Sequence, residues 1–297
     1  MGKVEKIKKC EICNHTNYSL LDVIKYYYHP QIYQQAIVQC DSCGYVWCEN
    51  PYENRHMEHY YEEESQYSDD FFLKVPSFGE SNIRRWEKQK NFIESNIEQN
   101  ETFGVLEVGA GAGYNLMQWS DTSYTYAVEP SARGCAAISK LYGIDCFQGT
   151  FQDFVKSSEY KKFDLIICAQ VLEHALHPST FIDLLKETTS KYLYIEVPTF
   201  NDKQADGLRG VFTYEHINYF THQSLANLMR SKGFREIATY EGDLGDTRTW
   251  GNLIMSLWEN DDEGSSANIS NLGEFELVRK YLKEDDERSV KVDMRFK

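Results

Sequence analysis

The sequence predicts a doubly wound, mostly parallel α/β domain joined to a small metal-stapled module. Three observations carry that prediction. Segments of strand and helix character alternate from about residue 81 to residue 260, the order that builds a parallel sheet with helices on both faces. One strand, Val105-Leu106-Glu107-Val108, runs straight into Gly109-Ala110-Gly111-Ala112-Gly113, where missing side chains let backbone approach a ligand closely. Two C-x2-C pairs, Cys10/Cys13 and Cys40/Cys43, stand 26 residues apart, the spacing of two metal knuckles.

Length and composition bound the remaining possibilities. At 297 residues the chain exceeds a typical single domain, so one core with a smaller attached module is expected. We divide it into a metal module (residues 1–50), an aromatic and acidic connector (51–80), the α/β domain (81–260) and a charged tail (261–297). The hydrophobic content of 41% suffices for a core. A formal charge of −15 disfavours nucleic acid as the main partner, because phosphate binding draws on clustered Lys and Arg. No apolar run approaches the ~20 residues of a membrane span, and no signal-peptide core is present, so the cytoplasm is the expected compartment. Disulfides are not expected there. Of the eight cysteines, Cys135, Cys146 and Cys168 therefore read as small core residues.

The elements follow in order. In the metal module, each knuckle presents two thiolates on a tight turn, and two knuckles close a tetrahedron around a structural zinc. The bland alternative is four incidental buried cysteines, and Cys48, His15, His56 and His59 are substitute ligands. Ile37-Val38-Gln39 and Tyr45-Val46-Trp47 flank the second knuckle as a hairpin. The module is too small to rely on an apolar core alone. In the connector, Glu62, Glu63 and Glu64 form a solvated face, while its tyrosines either pack the two modules together or line a substrate entrance.

Residues 81–97 place Ile83, Trp86, Phe92, Ile93 and Ile97 on one face of a helix. Ser131 caps a helix that runs through Tyr142, and Pro178 opens one carrying Phe181, Ile182, Leu184 and Leu185. Thr221 caps the helix of Leu225, Leu228 and Met229, which stops at Gly233. Residues 234–240 and 253–258 read as the last two strands. In the tail, Leu272, Phe275, Val278 and Leu282 recur at helical spacing, to dock on the domain or on a second subunit of a homodimer.

The glycine loop does not fit a dinucleotide fingerprint. G-x-G-x-x-G would need glycine at Tyr114 or Leu116. Glu129 ends the next strand, at 124–128, where a carboxylate can accept both hydroxyls of a ribose. Together these segments resemble the class I S-adenosylmethionine-dependent methyltransferases. The resemblance continues through Phe147-Gln148-Gly149-Thr150-Phe151-Gln152-Asp153-Phe154, through Phe163 to the segment Gln170-Val171-Leu172-Glu173-His174, and through Lys191 to Pro198. It implies a Rossmann-like, seven-stranded sheet with the last strand inserted antiparallel, and S-adenosylmethionine as cofactor. It also implies that Gly109, Gly111 and Gly113 pass beneath the methionine and ribose, that Glu129 grips the ribose, and that Asp153 reaches the adenine. Gln152 offers a similar amide contact. Gln170 joins the cofactor side, and Glu107 either orients the loop and the methionine amino group or makes only local hydrogen bonds.

On the acceptor side, residues 214–221 resemble the "EH…YF" segment of zinc-containing sugar C-methyltransferases, and the connector resembles theirs as well. That likeness implies His216 as base with Glu215 positioning it; a structural His216 is the alternative. An ordinary imidazole pKa near ~6.5 suits proton removal at neutral pH. Tyr214 stands where the sugar-enzyme pattern has a second His. Glu173 and His174 either floor the acceptor pocket or pack at a helix start, with His174 a further catalytic candidate, and residues 199–211 with Gly207 and Gly210 suit a lid. The expected function is methyl transfer to oxygen, nitrogen or carbon of a small polar metabolite, a nucleotide-linked or glycan-related sugar, without nucleic acid or membrane. The rivals are a methyltransferase whose zinc module docks a protein or carrier-bound substrate, and a non-catalytic cofactor-binding scaffold.

Overall fold

The computed structural model describes residues 6–28, 31–51, 80–99, 102–121, 124–199, 211–213, 215–243, 252–261 and 278–279. Most of the connector, the 200–210 segment, Tyr214, His56, His59 and all of the tail but Asp261, Val278 and Arg279 lie outside them. Strands β1 (Tyr18–Tyr28), β2 (Gln31–Cys40) and β3 (Val46–Cys48) form an antiparallel meander. The hairpin around the second knuckle is β2 with β3, in the register Ile37↔Cys48, Val38↔Trp47 and Gln39↔Val46.

Helix α1 (Glu80–Glu94) precedes β4 (Gly104–Val108), the short helix α2 (Tyr114–Met117), β5 (Tyr124–Glu129) and α3 (Ala132–Tyr142). Then come β6 (Asp145–Gln148), α4 (Phe151–Lys156), β7 (Phe163–Ala169), a 3₁₀ turn (Leu172–His174), α5 (Pro178–Thr188) and β8 (Thr189–Pro198). The last elements are β9 (Asn218–Tyr219), α6 (His222–Ser231), β10 (Phe234–Asp243) and β11 (Asn252–Asn260). Local chemistry sets several boundaries where expected. Ser131 Oγ accepts from Gly134 N and Gly143 ends α3 in a left-handed conformation, while Thr221 and Ser224 form a reciprocal capping box on α6.

The main sheet has the order β10-β11-β8-β7-β4-β5-β6. Strands β4 to β8 are parallel, so their carboxyl ends share one edge. Strand β11 lies antiparallel between β10 and β8. This is the expected seven-stranded Rossmann-like sheet, and its order reverses between β4 and β7, where open α/β sheets bind ligands. Among the described residues no helix is long and apolar enough to cross a membrane.

Two features depart from the sequence expectations. Cys135 and Cys146 are bonded to each other, because α3 folds back beside β6 and brings their Cα atoms to 5.5 Å, within bridging reach. Cys168 is a buried free thiol, as expected. The second is a strand shared between the two modules: the sheet of the metal module takes in a segment of the α/β domain. Strand β9, from the far side of the α/β domain, pairs with β3 and becomes the fourth strand of the module's sheet. Ile37, Val46 and Cys48 from the module, Phe212, Ile217 and Tyr219 from the domain, and Val278 from the tail share one small core at this joint.

A single amide anchors the joint. Asn218 Nδ2 donates to the carbonyls of Leu172 (3.0 Å) and Ala175 (2.6 Å), while its Oδ1 accepts from Tyr45 Oη at 2.5 Å. Removing it strands the Ala175 carbonyl and the buried Tyr45 hydroxyl, while the Leu172 carbonyl keeps the Ala175 amide. Asn218→Ala is therefore expected to lower stability in urea unfolding by about 2–5 kcal/mol, counting about 1–3 kcal/mol per stranded group. A loss below about 0.5 kcal/mol, the scale of an ordinary surface substitution, would show that the joint does not depend on this amide.

Candidate functional site

The β4 carboxyl end leads into a loop in which Gly109, Gly111 and Gly113 all have positive φ, at 67°, 57° and 77°. Neighbours dictate two of these glycines. A Cβ at Gly109 would lie 2.6 Å from Val171 Cγ2, and one at Gly113 would lie 2.8 Å from Ile138 Cγ1. A Cβ at Gly111 would meet nothing within 4 Å. The middle glycine thus borders open space, as a backbone cradle for a ligand would.

Two acids flank this loop. Glu129, at the end of β5, accepts from Gly111 N (2.7 Å) on one oxygen and from Ser131 N (2.8 Å) on the other. Burial pushes its carboxyl up to about 7 against the pull of those two amides. Each oxygen retains a lone pair for a hydroxyl donor. Glu107 in β4 accepts from Asn115 Nδ2 at 2.8 Å on Oε1, while its buried Oε2 has no hydrogen-bond partner. Burial first, then the nearby Glu129 and Glu196, push this carboxyl up to about 8. A cationic ligand group would supply the missing donor and favour ionisation. The open Gly111 cradle, the orphaned Glu107 oxygen and the clasped Glu129 together fit a ligand bearing hydroxyls and an ammonium group.

Glu196, fully buried in β8, organises the floor. It pairs with Arg85 and Gln89 of α1 and accepts from Tyr194 Oη at 2.8 Å and Gln170 Nε2 at 3.2 Å. Gln170, itself left-handed with φ 58°, turns its amide toward this network. Sequence reading misses Arg85, Gln89 and Glu196. The available signal is an acid set within the apolar run Tyr194-Ile195-Glu196-Val197. Asp153 stands apart: exposed, it accepts from Thr150 Oγ1 at 2.6 Å and completes the capping box of α4.

The 3₁₀ turn after β7 carries Glu173 and His174, and the segment leading into β9 carries Glu215 and His216. Ile217 N donates to Glu173 O and Cys48 N to Ile217 O, each at 2.8 Å, so this segment is held between the turn and the metal module. His174 Nδ1 lies 3.0 Å from Glu215 O, and His216 Nδ1 lies 3.0 Å from Val211 O. A carbonyl only accepts, so both Nδ1 atoms carry the proton and both Nε2 atoms present lone pairs. The rings meet edge to face, 4.9 Å apart. His216 is oriented by the Val211 carbonyl, whereas the sequence suggests the Glu215 carboxylate; the Glu215 main chain orients His174 instead. Burial, with His174 adding to it, pushes the His216 pKa down to about 3, so this imidazole is neutral throughout the physiological range and does not titrate near 6.5.

The four knuckle cysteines converge as the spacing implies. Cys10 Sγ lies 3.5 Å from Cys43 Sγ and Cys13 Sγ lies 3.5 Å from Cys40 Sγ, with all four sulfurs within 4.8 Å of one another. Zinc–sulfur bonds of about 2.3 Å set tetrahedral sulfur separations near ~3.8 Å, so the set fits the ion. The two turns match locally, since Asn14 and Gly44, each directly after a knuckle, share a left-handed backbone (φ 64° and 78°). Cys48 belongs to the joint's core, and burial pushes its thiol up to about 12.

A family model described as a methyltransferase domain matches residues 78–239, more than half of the chain. The chain belongs to this family. It is an S-adenosylmethionine-dependent methyltransferase, which removes the non-catalytic rival. A comparison with curated proteins finds no match. Among solved structures the fold is similar to 1,6-didemethyltoxoflavin-N1-methyltransferase of Burkholderia thailandensis (13% identity, TM-score 0.53, 80% of this chain and 99% of that one). It is also similar to magnesium protoporphyrin IX methyltransferase of Synechocystis PCC 6803 (12% identity, TM-score 0.52, 69% and 99%).

The loop geometry separates binding from folding. Gly113→Ala is expected to destabilise the methyltransferase by about 2–4 kcal/mol, combining a left-handed alanine with the clash on Ile138. Gly111→Ala carries only the backbone cost of about 1–2 kcal/mol, yet its methyl enters the cradle and weakens S-adenosylhomocysteine binding. Thermal unfolding and calorimetry of both variants check the contrast; equal affinity of Gly111→Ala and wild type would remove Gly111 from the pocket.

Proposed function

We propose that this methyltransferase modifies a small polar acceptor, a nucleotide-linked or glycan-related sugar, presented to the donor pocket by the His174/His216 face. The observation that carries this reading is the pair of neutral imidazoles whose Nε2 lone pairs are fixed by backbone carbonyls at their other nitrogen. Such lone pairs accept hydrogens from hydroxyl or amino groups, which a sugar supplies at adjacent positions. The similarity of residues 214–221 to the sugar-enzyme segment agrees with it. So does the toxoflavin-pathway likeness in one respect: that N1-methyltransferase binds 1,6-didemethyltoxoflavin, a small molecule. Pro198, Thr199, Val211, Asn218 and Tyr219 line a slight depression beside His216.

S-adenosylmethionine, when bound, supplies an electrophilic methyl on a positively charged sulfur. The chain's own residues bind and orient. Glu129 accepts the ribose hydroxyls, the oxygen of Glu107 left without a partner accepts the amino group, Gly111 gives backbone access, and Gln170 fixes the turn beside them; Asp153 is assigned to the adenine end. His216 accepts the acceptor's hydrogen bond at Nε2, with His174 beside it and Glu215 holding His174. Holding the acceptor in line with the donor is the main contribution, because fixed geometry replaces the entropy of encounter.

The cysteines hold a structural zinc in this reading. Its effect on chemistry runs through β3 and β9, which carry His216 and Asn218 into place. The docking rival is weakened by the same pairing, because the β3 edge is already used by β9.

Four measurements test the proposal. Incubation with methyl-labelled cofactor and a panel of nucleotide sugars should label one class of sugar; label found only on protein or carrier would favour the docking rival. Glu129→Ala should weaken S-adenosylhomocysteine by about 1–3 kcal/mol, the scale for hydrogen bonds to a charged group. Elemental analysis should find one zinc per chain, lost in Cys40→Ser. Chelation should reduce acceptor turnover more than cofactor affinity, and an equal loss of both would place the metal's influence on the whole fold.

A further inference from the structure

Glu173, His174 and His216 have no obvious use for their arrangement in binding the donor. Glu173 is 1% exposed, and neither of its carboxylate oxygens has a hydrogen-bond partner. Its close neighbour, His174 Nε2, is 3.8 Å from Oε1, beyond hydrogen-bond reach, and that nitrogen is an acceptor in any case. The Nε2 atom of His216 is an acceptor for the same reason, its Nδ1 proton being committed to Val211 O. One ligand atom from each of the three residues lies within 4.8 Å of the others. One of these three, the buried Glu173 carboxylate, has no hydrogen-bond partner on either oxygen, a situation that buried polar groups avoid.

We propose that these residues form a binding site for one divalent first-row transition cation, distinct from the four-cysteine site. A single cation supplies the Glu173 carboxylate with the partner it lacks, within reach of one ligand atom from each histidine. Bonds of about 2.1 Å set neighbouring ligand separations of ~3.0–3.4 Å and opposite ones of ~4.2 Å, so small rotations of the side chains close the set. The second coordination layer is already in place: each imidazole donates its other N–H to a main-chain carbonyl, the arrangement that fixes tautomer and orientation in metal-binding histidines. Two imidazoles and one carboxylate suit manganese, iron, cobalt or zinc, and leave positions open for oxygen ligands. With the cation bound, the two Nε2 lone pairs hold the metal and the acceptor meets the site through an oxygen at an open coordination position in place of those hydrogen bonds; only that further step rests on the sugar proposal.

The experiment is a manganese titration of the full chain, followed by the loss of the free-ion electron paramagnetic resonance signal. One Mn²⁺ per chain is expected to bind at micromolar to sub-millimolar concentration, with spin-echo modulation from imidazole nitrogen. Glu173→Gln, nearly isosteric, and His216→Gln should each weaken it ~10-fold or more, while zinc content and thermal unfolding stay at wild-type values. No uptake up to millimolar Mn²⁺ overturns the site. So does uptake unchanged in both variants or lacking nitrogen modulation, which would mark an adventitious ion on an acidic surface. If a variant unfolds, the nitrogen modulation of the wild-type protein alone decides. S-adenosylhomocysteine calorimetry on the same samples reports on the donor pocket independently, so the two readings fail separately.

Discussion

The Asn218 amide is the constraint on which the site's assembly depends. Its Nδ2 holds two carbonyls in and just after the turn that carries Glu173 and His174, its Oδ1 holds Tyr45 beside the second knuckle, and its own strand adds to the metal module's sheet. Few backbone hydrogen bonds are available for this purpose, because β9 has only two residues and β3 only three. An amide with one donor group and one acceptor group aimed in opposite directions does what so short a ladder cannot. It converts two modules and a turn at the sheet's carboxyl edge into one body.

The proposed donor pocket is organised by acids that burial leaves poorly ionised by themselves. Glu107 and Glu129 are each pushed well above the carboxylate range by burial, and Glu129 is moderated by two backbone amides. Keeping them buried is unfavourable to the isolated protein and favourable to a ligand that brings positive charge and hydroxyls. The Arg85–Glu196 pair shows the opposite solution. There the partner guanidinium is supplied from α1, and Gln89, Tyr194 and Gln170 complete the carboxylate's hydrogen bonds, as a buried ion pair requires.

Legibility in the sequence tracks how local each signal is. Ser131 with Gly143, Pro178, and Thr221 with Gly233 announce their helices within a turn of chain, and the glycine spacing and Glu129 announce the donor loop in the same way. The knuckles are legible because two C-x2-C turns repeat the same local geometry; the left-handed Asn14 simply takes the place that glycine has at Gly44. By contrast, β9, Asn218 and the Arg85–Glu196 network join residues more than a hundred positions apart, or make elements too short for any periodicity to show. The Cys135–Cys146 bond spans only 11 positions, yet it too is hidden, since only the return of α3 beside β6 brings the two thiols together. The orientation of His216 is illegible for a related reason. Adjacency in sequence suggests Glu215 as its partner, whereas the fold brings up a carbonyl five residues back.

The two ends of the β3–β9 connection carry metal-ligand chemistry of different hardness. Four thiolates close completely around a soft site and leave no position for substrate, which suits a fixed strut. Two imidazoles and a carboxylate are harder and leave positions open. Because His216 lies on the segment that β3 holds, displacement of the thiolate end shifts one acceptor-side group but leaves Glu173 and His174 on the turn after β7, anchored to the main sheet. In the proposed reading, the acceptor face is thus assembled from one part that the parallel sheet fixes and another that the cysteine module fixes, and its geometry needs both in place. That division gives a small N-terminal module a direct hold on chemistry without contributing a side chain to the reaction.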